Sequence, residues 1–97
     1  MQYFVYILFS ESLNRFYIGT TDDVNKRLHE HNTGHYDNSF TIKGIPWSLF
    51  HVIECMNSKQ AFELERFIKK MKSAVFIRRL KTDPGLVTSL LQKMGSL

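Results

Sequence analysis

The stretch YFVYILF at residues 3–9 restricts this chain more than any other feature. Aromatic and β-branched side chains lose rotamer freedom in a helix and pack well on a pleated surface, so the run reads as a strand. It is far shorter than the roughly 18 apolar residues that a membrane-spanning helix needs. The polar turn formers SESLNR follow, then a second short apolar run, FYIG at 16–19. Two antiparallel strands joined by a loop are expected.

Beyond the hairpin the period changes. Thr21-Asp22-Asp23 places a capping residue and first-turn acids ahead of Val24, Arg27, Leu28 and His31, which share one helical face, and Gly34 is a natural stop. Residues 35–44 have mixed polarity and no period, which suggests a loop that orders against a ligand. Pro46-Trp47 opens a third strand, running to Met56. Ser58 is placed to cap a helix carrying the stripe Ala61, Leu64, Glu65, Ile68 and Met71, widened by Phe62 and Phe67. A further helical stretch covers 74–82, Asp83-Pro84-Gly85 breaks it, and 86–94 suit a closing helix. The order β-β-α-β-α-α implies an α/β (α+β) fold, a small three-stranded antiparallel or mixed sheet flanked by helices. A chain of 97 residues makes one such domain.

Composition narrows the function classes. With 43% hydrophobic residues the chain is not disordered, and the N-terminus lacks the basic flank and small-residue site of a secretion signal. The lone Cys55 forms no intramolecular disulfide, which fits a reducing cytoplasm. The net charge is +4, yet residues 66–82 alone carry Arg66, Lys69, Lys70, Lys72, Arg78, Arg79 and Lys81 with no acid. Such a segment is either a solvated helix face or a surface for a phosphate backbone.

Two polar interruptions of apolar stripes point to chemistry. Arg27 and His31 fall on the stripe of Val24 and Leu28, with Lys26 and Glu30 on the opposite, solvated side. Glu65 lies among Ala61, Leu64 and Ile68, where an unpaired buried carboxylate would cost several kcal/mol, so it needs a partner. Either it pairs with Lys69 at i+4 or with Arg27 across an interface, or it holds a cation. Tyr6 and Tyr17 on neighbouring strands are packing residues with a hydroxyl at the rim, or part of the same site. His29, His31 and His35 hint at zinc, but Gly34 breaks the helical 31/35 spacing and no cysteine pair accompanies them. Glycine-rich phosphate loops and Ser-His-Asp or Cys-His nucleophile patterns are absent from the sequence.

Taken together, FVYIL, FYIGTT, the helix NKRLHEHN and the later AFELERFIKKMK resemble the GIY-YIG nuclease superfamily, in particular its small stand-alone bacterial members. Phe4-Val5-Tyr6 stands where GIY is expected, with Phe4 replacing the first glycine, and Tyr17-Ile18-Gly19 matches YIG unchanged. Arg27 and His31 match the Arg-x-x-x-His of the first helix, and Glu65 the metal-binding glutamate of the second. Thr41 and Gly44-Ile45-Pro46-Trp47 resemble the loop entering strand three. The resemblance covers about residues 3–82 and leaves 83–97 as a helical extension.

What it implies is a DNA endonuclease dependent on one divalent ion, Mg²⁺ or Mn²⁺, with a role in DNA repair or recombination. Glu65 holds the metal, Arg27 neutralises the scissile phosphate and Tyr6 or Tyr17 takes the proton from water. A free phenol ionises only near pH ~10, so the tyrosine needs the metal, Arg27 or His31 to help. His31 orients the tyrosine or relays its proton, and all five residues are expected on one concave surface. Lys43, Lys69, Lys70, Lys72, Arg78 and Arg79 are the expected nucleic-acid contacts. The resemblance equally accommodates a non-catalytic nucleic-acid-binding module, with a partner protein or self-association supplying specificity. A protein-interaction domain would leave Arg27, His31 and Glu65 unexplained.

Overall fold

The computed structural model describes residues 2–34 and 39–95. Three strands, β1 (Tyr3–Ser10), β2 (Arg15–Thr21) and β3 (Trp47–Cys55), form one sheet in the order β2-β1-β3. Both pairings are antiparallel, so the sheet is not mixed. The central place of β1 follows from its composition, since only a strand apolar on both faces can be covered on both. Val5 and Ile7 point into one layer, and Tyr6 and Leu8 into the other.

The first layer is formed by α3 (Ser58–Met71), α4 (Ala74–Thr82) and α5 (Pro84–Lys93). Val5, Ile7, Ile18 and Ile53 of the sheet meet Ala61, Leu64 and Ile68 of α3 there, with Ile77, Leu80 and Leu90 closing over them. Leu90 brings α5 into this core. The second layer is thinner: α1 (Val24–Asn32) and α2 (Ser39–Lys43) flank Tyr6, Leu8 and Trp47. Asn32, the last residue of α1, accepts from the Trp47 main-chain N–H at 2.6 Å and donates to the Trp47 carbonyl at 2.9 Å.

Several local expectations are corrected. Asp23 is itself the N-cap of α1, accepting from the Lys26 N–H, and the first turn carries no acid. Asn57, not Ser58, caps α3, because its side chain reaches the Gln60 N–H at 2.8 Å. Pro84 opens α5 instead of merely breaking α4, since a proline at the first helical position lacks only an N–H that would go unused. Within the expected 35–44 loop, Ser39–Lys43 form a short helix. Residues 35–38, including the His35 of the zinc reading, lie outside the described residues. Among the described residues no helix is long and apolar enough to cross a membrane.

Candidate active site

Strand register assembles the first part of the site. Tyr6 pairs with Gly19 and Leu8 with Tyr17, so the two tyrosines are diagonal neighbours on the α1 face. Their rings stack with centroids 6.2 Å apart. Gly19 makes this possible: a Cβ there would stand 2.5 Å from Tyr6 Cζ, closer than real atoms approach. The YIG glycine is thus a space requirement set by the phenol of the neighbouring strand.

His31, in the last turn of α1, closes the cluster from above. Its Nε2 shares a hydrogen bond with the Tyr6 hydroxyl at 3.2 Å, and its ring meets that of Tyr17 edge-on at 4.4 Å. Trp47 walls the far side, 6.1 Å from the Tyr17 ring and 6.4 Å from His31, with its indole N–H donating to the Thr41 carbonyl. His31 is 1% exposed, deeper than the core edge where the sequence placed it, and Tyr6 is 3% exposed. Tyr17 is half-buried and reaches the surface.

Burial, and secondarily the charge of Arg27, push the His31 pKa below its usual value, with Glu30 opposing. The imidazole is therefore held neutral, able to accept a proton or donate one. Arg27 itself is 40% exposed along its side chain, with Nε 3.9 Å from a Glu30 carboxylate oxygen. Glu30 accordingly lies beside Arg27 and half-buried, not on the solvated side.

Glu65 arrives from the other layer. Its Oε1 accepts from Thr20 Oγ1 at 2.6 Å, and its Oε2 pairs with Lys69 Nζ at 2.6 Å. Of the two sequence alternatives for an ionic partner, the structure selects Lys69 over Arg27. Thr20 follows Gly19 in β2, so its side chain points away from the tyrosine face. The carboxylate and the three-ring cluster therefore approach edge strand β2 from opposite sides. Tyr6, Tyr17 and His31 are in contact, Arg27 bears on His31 through its charge, and Glu65 reaches the same edge strand through Thr20.

The donor set suits a hydrated divalent ion. A carboxylate offers about four lone-pair positions, of which Thr20 and Lys69 engage two, and Mg²⁺ commonly binds through one carboxylate while keeping several waters. No group of three or more His, Cys, Asp or Glu able to hold a metal occurs among the described residues.

The cations of the basic segment do not share one face. Lys69, Lys72 and Arg78 line a cleft against β2, whereas Lys70 and Arg66 line a separate recess beside Glu63. Arg79 pairs with Asp83 at 3.4 Å, and Lys81 lies 4.8 Å over the Phe50 ring. Lys43 ends α2, its carbonyl accepting from Ser12 Oγ. Sequence reasoning missed Thr20, Asn32 and Arg15, the last of which lines the same cleft as Lys69. Each is paired with its neighbours only through tertiary structure, so no local pattern marked it.

Residues 2–80 match the model of the GIY-YIG catalytic domain. A UPF0213 protein of Syntrophus aciditrophicus (strain SB) is 35% identical over 81 residues, covering 84% of this chain and 92% of its own. The solution NMR structure of a UPF0213 protein from Bacillus halodurans aligns over 94% of this chain and 97% of its own, with 26% identity and a TM-score of 0.52. With the motif residues on the strands and helices just described, the chain belongs to the GIY-YIG catalytic-domain family.

Proposed function

We propose that this protein is a metal-dependent endonuclease that hydrolyses DNA phosphodiester bonds, with a cytoplasmic role in DNA repair or recombination. The observation that carries the reading is the buried hydrogen bond between Tyr6 and a neutral His31, inside a ring cluster whose third member, Tyr17, reaches the surface. A purely structural core has little use for two phenols around an uncharged imidazole. Hydrolysis of a phosphodiester needs a proton taken from water and negative charge stabilised at phosphorus. In this reading Tyr17 takes that proton, and His31 orients the phenols and accepts the proton onward. Arg27, half-exposed at the rim, supplies planar donors to the phosphate. Glu65 would hold the divalent ion, which supplies charge neutralisation at the leaving oxygen when bound.

One observation favours the second reading, a nucleic-acid-binding module without turnover: the Lys69 ammonium already sits on the Glu65 carboxylate. Incubating the purified protein with nicked, branched and single-stranded DNAs in Mg²⁺, Mn²⁺ or EDTA decides between them. Cleavage in metal and none in EDTA is expected, with Tyr17→Phe and Glu65→Gln inactive. Retention of every DNA without cleavage of any would establish the binding module instead.

A further inference from the structure

We propose that the cleft between the start of β2 and the α3–α4 junction is a binding site for one unpaired nucleotide of a nucleic-acid strand. Its volume is about 510 Å³, within the range of small-ligand sites. Arg15, Lys69, Lys72 and Arg78 surround it, Phe16 and Ile77 contribute its apolar wall, and no carboxylate lines it among the described residues. Four cations on an apolar wall with an aromatic ring complement a nucleotide in both of its parts, an anionic phosphate and a flat base. A duplex presents only the first of these outward, because its base faces are stacked on one another. The ligand is therefore unpaired.

The cations are there by selection of direction, not by general basicity. Lys70, Arg79 and Lys81, from the same helices, go to other recesses or partners. Arg15 comes from the hairpin, far away in sequence, and Arg78 lies 5.5 Å over the Phe16 ring. Lys72 is the C-cap of α3 with φ 49° and ψ 42°, a left-handed conformation for which glycine is the usual residue. A lysine at this strained backbone position supplies the cleft with a charge that glycine could not.

The cleft also has a defined relation to Glu65. Lys69 both pairs with that carboxylate and lines the cleft. Glu65 and Lys69 are four residues, about 6 Å of helix rise, apart along α3. A strand whose phosphodiester lies at Glu65 would thus place a nearby nucleotide in the cleft, a placement that rests on the nuclease reading although binding itself does not.

The test is fluorescence anisotropy in EDTA, where no cleavage intervenes, with a labelled single strand of roughly ten nucleotides and a blunt duplex of the same length. Wild type should prefer the single strand. The double substitution Arg15→Ala with Arg78→Ala should weaken single-strand binding by about tenfold or more and duplex binding by less than about threefold. Lys26→Ala, on the exposed side of α1, should leave the preference intact. Lys72→Gly should lose single-strand affinity while melting at or above the wild-type temperature, which separates binding from folding. Equal weakening on both DNAs, or none on the single strand, would overturn the site. Single-strand binding lost in these variants but no metal-dependent cleavage by wild type would remove the nuclease reading and keep the cleft. Cleavage by wild type, with the Arg15/Arg78 variant binding both DNAs as wild type does, would do the reverse.

Discussion

On the sheet face covered by α3, α4 and α5, the buried residues are aliphatic or small: Val5, Ile7, Ile18, Ile53, Cys55, Ala61, Leu64, Ile68, Ile77, Leu80 and Leu90. On the face covered by α1 and α2, Tyr6, Trp47 and His31 are buried beside Leu8, with Tyr17 half-buried among them. The same three strands supply the sheet residues of both sets, and alternation along β1 sends Val5 and Ile7 one way and Tyr6 and Leu8 the other. The two faces of one small sheet are thus packed in different ways, one by aliphatic volume and the other by polar-tipped rings. The aliphatic side needs only volume and shape, whereas the aromatic side needs atoms at set distances.

That contrast can be broken most severely at Leu64, which is fully buried on the aliphatic side. Leu64→Ala should cost about 2–5 kcal/mol in urea denaturation, and a loss below about 1 kcal/mol would show that this layer is not the main store of stability. Next in size is Gly19→Ala. The added methyl meets the Tyr6 ring, which is buried and tied to His31, so a loss of about 1–3 kcal/mol is expected, along with a changed tyrosine near-ultraviolet signal. An unchanged melting temperature and signal would mean that the ring moves freely.

Acidification sharpens the comparison further. His31 and His51 both have pKa values pushed below 6.5 chiefly by burial, with Arg27 and Lys81 respectively adding to it. A histidine of lowered pKa makes the unfolded chain the better proton acceptor, so its stabilising contribution is complete above about pH 7 and falls as pH drops through 6.5 toward the folded-state value. Urea midpoints at about pH 8 and about pH 5 should therefore differ, the lower pH being less stable. His51→Gln removes one share, and what remains belongs to the aromatic face; a flat profile in that variant would contradict a neutral, buried His31.

The smallest expected effect is Glu65→Gln in metal-free buffer. The Lys69 side chain is 53% exposed, so the pair with Glu65 contributes at most about 1 kcal/mol. A loss of several kcal/mol in EDTA would mark Glu65 as a structural anchor and argue against a metal there. With excess Mg²⁺, wild type alone should gain melting temperature.

Most of the fold was legible because its signals are local. The 3–9 run, the 3.6-residue stripe of α3 and the Asp83-Pro84 junction each act over a few residues. Boundaries slipped by one position where two neighbours can both cap, as at Asn57 and Ser58. The helix Ser39–Lys43 was illegible because five residues are too few to display a period. The YIG motif and the Arg27/His31 spacing were legible as pattern, but not the division of the site across β2. That division follows from the side to which Thr20 points, and so from tertiary packing of α3 against an edge strand.

The hydrogen bonds from Asn32 to Trp47 have a consequence for how a ligand can enter. A primary amide carries the same donor and acceptor as a peptide unit, so at this corner the end of α1 substitutes for a missing fourth strand. Lifting α1 off the sheet would expose an unpaired main-chain N–H and C=O together with the Trp47 indole, three losses at once. His31 precedes Asn32 directly and shares its tether. The aromatic cluster is thus a preset fixture, and a ligand must fit it from the β2 rim without prising the helix away.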